Sequence, residues 1–392
     1  MRRNTLLFVV ISLLSGFGGS AMALVAGIWI LDLTGSPSRA GLAGLCVYAP
    51  TLAGPWLGGL LDRLPRRPVL IGVNLALAAA LLSLFAVRSA QQAWLIYAVA
   101  IAYGVSYVLM DAGESALLPA ALPPDRLGEV NGWRSSAQEG MKLVAPLAGA
   151  GLYAWHGGAV VAAVSALMPL VAALLYALLR LTSAPGPVAV ERGLRAGAAV
   201  LTRTRIVRVT VALAAVAIAM SAFTTAPLYA VVVDDMALPS TFLGVLLSAQ
   251  GAGSIAAGLA AGRFVAARGE IAVAVAGAVL FAVGTLARCV PWWPAMVAGA
   301  VLAGIGLPLT LIAAVTAVQA RTPGHLLGRV SATANTVMFG PITVANPLGS
   351  VAVHAGSRPA LIAAAVISLA CAAAAGRAPA RDYAGAGGGT RP

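Results

Sequence analysis

The sequence predicts an all-α membrane protein with twelve transmembrane helices that form two pseudo-symmetric six-helix bundles. Its composition is the first reason, because 60% of the 392 residues are hydrophobic and only 9% are charged. Soluble domains carry roughly 25% charged residues, so a chain this poor in charge cannot cover a water-facing surface. The composition excludes a cytosolic enzyme, a disordered chain and a nucleic-acid-binding domain. The other two reasons are a series of long apolar runs and an internal repeat.

Apolar runs long enough to cross a bilayer, which takes about 20 residues, recur along the chain. In the first half they lie at 6–31, 40–61, 68–87, 93–117, 135–154 and 159–180. In the second half they lie at 207–232, 239–262, 270–289, 293–316, 331–353 and 359–375. We therefore expect an N-terminal six-helix bundle at 1–180, a cytoplasmic linker at 181–205, a C-terminal six-helix bundle at 206–376 and a disordered cytoplasmic tail at 377–392.

The basic residues predict the orientation of these helices. The net charge is +13, and with a cytoplasmic N-terminus 20 of the 25 Lys and Arg residues fall on the cytoplasmic side. Such an excess is the rule for cytoplasmic loops, so it indicates orientation and not a nucleic-acid partner. Arg2 and Arg3 before an apolar run are also typical of a signal peptide, but the run continues to Leu31, which favours an uncleaved first span. We expect a multi-pass protein of the cell inner (plasma) membrane with both termini in the cytoplasm.

A repeat of about 200 residues relates the two halves. Three pairs of segments share this offset, namely Gly58 and Arg63 with Gly258 and Arg263, Pro124 and Leu127 with Pro323 and Leu326, and Pro146 with Pro347. Two six-helix repeats in parallel are typical of transporters that rock around a central site.

The segment IWILDLTGSPSRAGLAGLCVYAPTLAGPWLGGLLDRLPRRPVLI, residues 28–71, resembles the first two spans of the major facilitator superfamily. It is most similar to the drug:proton antiporter-3 branch, which includes macrolide- and siderophore-exporter-like proteins. That family carries a G-x-x-x-D-R-x-x-R-R loop between spans 2 and 3, here Gly58, Asp62, Arg63, Arg66 and Arg67. The resemblance implies the major facilitator fold, and it implies export driven by a proton gradient. The chain departs from the family at Pro65 and in span 4, where 95–107 holds no basic residue.

The resemblance also implies a gate. Asp62 is expected to contact the N-terminus of span 11, where helix dipoles favour negative charge, and to lock the outward-facing state. Arg63, Arg66 and Arg67 serve equally well as cytoplasmic anchors. The family's export-associated span 5 motif survives in part as Gly140, Pro146 and Gly149, which we expect to form a hinge.

Four charged residues fall inside the predicted spans, Asp111 and Glu114 in span 4, and Glu139 and Lys142 in span 5. Both pairs are spaced i, i+3 and so share a helix face. Charges inside a span cost at least ~2.5 kcal/mol each, so they require partners or a wet cavity. In one interpretation Lys142 pairs with Glu139 or Asp111, Glu114 pairs with an arginine of the span 2–3 loop, and the cluster holds the cytoplasmic gate shut. In the other, one carboxylate binds and releases a proton, and Asp111 is the best candidate because it lies deepest.

Several aromatic and amide side chains are candidates for a central substrate cavity, although helix packing explains each of them equally well. They are Trp29, Tyr103, Tyr107, Phe223, Gln250, Asn335 and Phe339. The sequence shows no catalytic constellation, no phosphate-binding loop and no metal-binding cluster, so we expect neither an enzyme nor a cofactor, and the energy should come from a proton gradient.

These features predict a secondary transporter that exports a small amphiphilic or aromatic compound, a drug or secondary metabolite, by proton antiport with alternating access. Two alternatives remain: an importer or facilitator of a small metabolite, and a non-transporting membrane receptor or assembly subunit. The expected partners are a small-molecule substrate and the lipid bilayer, with no nucleic acid, and the chain is expected to be a monomer.

Overall fold

The computed structural model describes residues 2–54, 56–57, 64–181, 202–322 and 327–377. Long helices joined by short turns make up these residues, which confirms the predicted all-α class. In the first half they are α1 (Arg2–Thr34), α2 (Pro37–Tyr48), α3 (Arg66–Ser83), α4 (Ala93–Ala121) and α5 (Pro124–Leu178). In the second half they are α6 (Arg205–Phe223), α7 (Thr225–Ala230), α8 (Phe242–Arg268), α9 (Glu270–Ala287), α10 (Trp293–Arg321), α11 (Leu327–Phe339), α12 (Ile342–Ala352) and α13 (Ser357–Arg377).

The described helices match the predicted spans in order. Ten helical stretches of the described residues are long and apolar enough to cross a membrane. One of them lies within α5, which is 55 residues long and contains two predicted spans. The break falls at Gly157, where φ is 75° and ψ is 179°, a conformation that glycine adopts at little cost. The predicted span 40–61 appears as α2 followed by a 3₁₀ turn at Ala49–Ala53, and its residues 58–61 lie outside the described part.

Several helices differ from the apolar runs that predicted them. α1 extends beyond its apolar run at both ends, and α10 extends beyond its run at the C-terminal end. A helix can continue into the polar interface of a bilayer after its apolar stretch ends. The predicted span 331–353 is divided between α11 and α12. Residues 182–201 of the predicted linker and 378–392 of the predicted tail lie outside the described residues, so the division into four segments stays a prediction.

The helix ends define two faces of the protein. The terminal face carries the start of α1 and the end of α5, where Arg3 Nη2 donates to the carbonyl of Leu178 at 2.9 Å. The far face carries the end of α1 and the bend of α5 near Gly157, where the Tyr153 hydroxyl donates to Asp32 Oδ2 at 2.9 Å.

The two halves meet closely near the far face, through glycines. An added Cβ at Gly41 of α2 would lie 2.5 Å from Cβ of Ala226, and one at Gly244 of α8 would lie 2.5 Å from Cβ of Ala150. Glycine permits such approaches because it has no side chain, as at many membrane helix contacts. Ser38 Oγ adds a hydrogen bond of 2.6 Å to the carbonyl of Ser350. The far face is therefore closed.

Toward the terminal face the close approach of α8 to the first half is described as far as Gly251. Gly251 of α8 still touches the other half, since an added Cβ there would lie 2.8 Å from the carbonyl oxygen of Lys142. About two and three turns further on, a Cβ at Gly258 or Gly262 would meet no described atom within 4 Å. The described contacts between the halves thus close the far side.

Candidate functional site

A charged cluster lies near the terminal face of the first half, where three helical segments converge. Glu114 of α4 forms an ion pair with Arg134 at the start of α5, through Oε2 and Nη2. The hydroxyl of Tyr176, near the end of α5, donates to the other carboxylate oxygen of Glu114. The side chains of Arg134 and Glu114 are only 13% and 9% exposed, and Tyr176 is fully buried. Both oxygens of this buried carboxylate therefore have a donor, which its burial requires.

Arg134 extends the cluster to two further groups. Its Nε donates to Ser12 Oγ of α1 at 3.2 Å, and its Nη1 donates to Asn131 Oδ1 at 3.2 Å. Asp111 lies on the same face of α4 as Glu114, one turn further from the terminal face, and interacts electrostatically with Arg134. Unlike Glu114, the Asp111 side chain is exposed. One cation is thus shared between a buried carboxylate and an exposed one.

The carbonyl groups at the end of α5 are held by side chains of other helices. Arg67 of α3 donates from Nε to the carbonyl of Tyr176 at 3.0 Å and from Nη2 to that of Ala177. Asn4 of α1 donates to the carbonyl of Arg180 at 2.8 Å and to that of Ala121, at the end of α4, at 3.0 Å. The last carbonyls of a helix have no intrahelical partner, and basic side chains there also favour its dipole. These hydrogen bonds connect α1, α3 and α4 to the end of α5, which carries Tyr176, the hydrogen-bond donor to Glu114.

The structure places the predicted gating residues only in part. Gly58, Asp62 and Arg63 lie outside the described residues, so the predicted contact of Asp62 with span 11 stays a prediction. Arg66 is buried at the start of α3, and Arg67 binds the end of α5 within its own half.

The expected partner of Glu114 was an arginine of the span 2–3 loop. Among the described residues its partner is instead Arg134, because the first turns of α5 lie directly beside the end of α4.

The predicted partners in span 5 are less fully placed. The side chain of Glu139 lies outside the described part, so its pairing with Lys142 stays a prediction. Lys142 is exposed, and its backbone lies against α8.

The predicted span 5 hinge falls at the contact between helices. Pro146 is buried and its carbonyl would lie 2.9 Å from a Cβ on Gly244. A Cβ on Gly149 would lie 3.1 Å from that of Ala21 on α1. Around Gly140, by contrast, an added Cβ would meet no described atom within 4 Å. Pro146 and Gly149 therefore lie at close contacts between helices. Hinge motion at these residues stays a prediction.

The predicted cavity residues differ in their surroundings. Trp29 is buried against Gly158, and the backbone of Phe223 packs against Gly349. Tyr107, Asn335 and Phe339 are exposed.

Tyr103 lines a cavity of about 20 Å³ inside the first half, with room for a single water. Ser165 also lines it, and its buried Oγ has no partner among the described residues.

Gln250 accepts a hydrogen bond of 3.0 Å from Arg288. Sequence reasoning missed the parts played by Arg134, Tyr176 and Arg288. Both arginines lie near predicted span ends, where basic residues report orientation, and a tyrosine in an apolar run carries no sign of its partner.

Comparison with known proteins identifies a family and curated relatives of this chain. The model of the family described as Major Facilitator Superfamily matches residues 6–225 and 211–388. Macrolide efflux protein A of Streptococcus pyogenes is 27% identical over 164 residues, which is 41% of this chain and 40% of that protein. The same protein from Streptococcus pyogenes serotype M6 matches equally well. The chain spans about two fifths of the length of the curated relatives it matches.

Solved structures of transporters share the fold. A bacterial homologue of the iron transporter ferroportin, crystallised in an inward-facing state, has a TM-score of 0.69 and 17% identity, over 96% of this chain and 100% of that one. A POT family transporter in complex with 5-aminolevulinic acid has a TM-score of 0.74 and 12% identity, over 95% of each chain. At these identities the likeness shows the fold alone.

Proposed function

The chain belongs to the Major Facilitator Superfamily, and on that premise we propose that it exports small amphiphilic or aromatic compounds by proton antiport. It is a multi-pass membrane transporter. The proposed driving force is the proton gradient with no bound cofactor, and the proposed unit is a single chain whose partners are substrate and lipid. The likeness to a protein named for macrolide efflux supports the outward direction.

The orientation belongs to the proposal. The basic residues favour a cytoplasmic terminal face in an inner membrane, as cytoplasmic loops carry an excess of Lys and Arg. In that orientation the closed far side is the outside, and the contacts there support an inward-facing state of an alternating-access cycle.

The observation that carries the proposal is the interaction of Arg134 with two carboxylates of unequal exposure. Glu114 is buried and receives donors on both oxygens, so its charge is balanced within the protein. Asp111 is exposed, and it interacts electrostatically with the same cation. Intramembrane carboxylates of this kind are typical of proton pathways.

We assign proton binding to the carboxylate of Asp111. In the outward-facing state it takes a proton from outside, and in the inward-facing state it releases that proton to the cytoplasm. Release adds one negative charge beside Arg134, so the attraction between α4 and α5 changes with each cycle. Glu114 keeps Arg134 in place throughout.

Replacement of Asp111 by Asn tests this assignment, because Asn keeps the size of the side chain and cannot carry the proton. We expect Asp111→Asn to abolish protonophore-sensitive efflux from an efflux-deficient bacterium while expression and melting temperature stay unchanged. The screen uses a panel of amphiphilic and aromatic antibiotics, with accumulation measured with and without a protonophore.

The matched control is Asp32→Asn, which removes an exposed carboxylate at the far end of α1 in the same half. It should keep efflux close to the wild-type rate. Efflux that survives Asp111→Asn unchanged would contradict the assignment. Uptake of a compound by the wild type would favour an importer, and no flux of any tested compound would favour a non-transporting protein.

A further inference from the structure

Arg288 is a buried cation with a neutral partner. It directly follows α9 and is only 3% exposed. Its Nη2 donates to Gln250 Oε1 of α8 at 3.0 Å, and its buried Nε has no partner among the described residues. The aliphatic part of its side chain packs against α10, since a Cβ on Gly299 would lie 3.2 Å from Cγ of Arg288. None of the ion pairs between described residues includes it.

A buried arginine without an acidic partner is expected to bind an anion. The guanidinium stays protonated in proteins and presents five N–H donors. A buried cation is costly unless it is paired, and one amide oxygen does not neutralise it. The site therefore has unused donors and an uncompensated charge in the state that the structure shows.

Topology does not account for the burial. Arg88, 200 residues earlier, occupies the repeat-related position at the end of the third span and is exposed. A basic residue at this point of the repeat can therefore remain outside the helix bundle. The burial of Arg288 is particular to the second half.

The site lies beside the boundary between the halves. Gln250 is eight residues into α8, about 12 Å from its far end at 1.5 Å per residue. The next residue, Gly251, packs against the backbone of Lys142 in the other half. Rearrangement of this boundary during transport would open a path to Gln250 and Arg288.

We infer that Arg288 and Gln250 bind the anionic group of the transported compound, a carboxylate on an apolar or aromatic body. This inference rests on the proposed function and narrows its substrate class. Guanidinium and carboxylate match in shape and form paired, charge-assisted hydrogen bonds. The amide nitrogen of Gln250 supplies a further donor.

A pair of probes that differ only in charge tests the inference. N-dansyl-phenylalanine and its methyl ester are titrated by fluorescence onto the purified full-length protein in nanodiscs at pH 7. The acid should bind the wild type at least tenfold more tightly than the ester. Arg288→Gln should remove this preference, and the repeat-related control Arg88→Gln should retain it.

Equal binding of acid and ester to the wild type, or a preference that survives Arg288→Gln, would overturn the inference. If Arg288→Gln aggregates, Gln250→Ala decides, since a preference reduced at least threefold supports the site and an unchanged one contradicts it. Binding is measured without a pH gradient and is thus independent of coupling. Intact acid preference without protonophore-sensitive efflux contradicts the proposed antiport alone, and intact efflux without acid preference contradicts this site alone.

Discussion

The same place in the two halves is filled by an ion pair in one and by two alanines in the other. α4 and α10 are both 29 residues long and begin 200 residues apart, so Glu114 corresponds to Ala314. By the same offset Arg134 corresponds to Ala334. These alanines are 0% and 2% exposed and belong to one apolar cluster. Two small side chains thus close the second half where a charged pair occupies the first.

This difference shows that the architecture does not need the charges to hold its helices together. Burial of alanine carries no cost for desolvating a charge, whereas both members of an ion pair lose their hydration. A buried ion pair therefore often stabilises a protein no better than an apolar pair does. The first half keeps the costlier arrangement at the position that we connect with proton movement. We interpret the pair as part of the transport cycle and the alanines as static packing.

Removal of one member of the pair should have the largest effect on stability. Glu114→Ala leaves Arg134 buried without its carboxylate, which should lower the free energy of unfolding by about 3 kcal/mol. Ala314→Gly, the repeat-related truncation, should cost only about 1 kcal/mol. Thermal unfolding in detergent, followed by tryptophan fluorescence, measures both. A Glu114→Ala protein as stable as Ala314→Gly would contradict the comparison.

The contact between the halves should also respond strongly. Gly41→Val places atoms where a Cβ alone lies 2.5 Å from Ala226, so it should destabilise the far-closed state by about 1–3 kcal/mol. Spin labels at positions 38 and 350 should then report a longer distance. Gly72→Val is the control, since its Cβ would meet no described atom within 4 Å. An unchanged distance in Gly41→Val would argue against closure through these glycines.

Conversion of the first half to the pattern of the second should have a smaller effect on stability. The double variant Glu114→Ala/Arg134→Ala removes both charges and leaves neither buried alone. We expect its free energy of unfolding within about 1 kcal/mol of the wild type, well above that of Glu114→Ala. Additive losses from the two single substitutions would show that the charges do stabilise this half.

The smallest effect is expected beyond the far end of α7. Burial and the neighbouring Asp235 raise the pKa of Asp234, where the first half has Thr34 at the related position. A raised carboxyl pKa means that ionisation disfavours the folded state, so the penalty is present at neutral pH and disappears as the pH falls below the pKa. Asp234→Asn should therefore raise the melting temperature slightly at pH 7 and leave it unchanged at pH 3. A higher melting temperature of Asp234→Asn at both pH values would indicate a cause other than the charge of Asp234.

Patterns that repeat along the chain could be predicted from the sequence, and individual contacts could not. The apolar runs predicted the helices, since spanning length is imposed by the bilayer. The repeat aligned Glu114 with Ala314. The pairing of Glu114 with Arg134 was not predicted, because Arg134 carries the same orientation signal as any basic residue near a span end. The burial of Arg288 depends on how α9 and α10 pack, which the exposed Arg88 at the related position does not reveal.

Proton-driven transport by the double variant Glu114→Ala/Arg134→Ala tests the central claim most directly. The purified protein is reconstituted into proteoliposomes, and an imposed pH gradient drives movement of a compound that the wild type exports. If the charged pair belongs to the transport cycle, this variant folds, melts near the wild-type temperature and shows no gradient-driven transport. Transport at the wild-type rate by the folded variant would contradict the account.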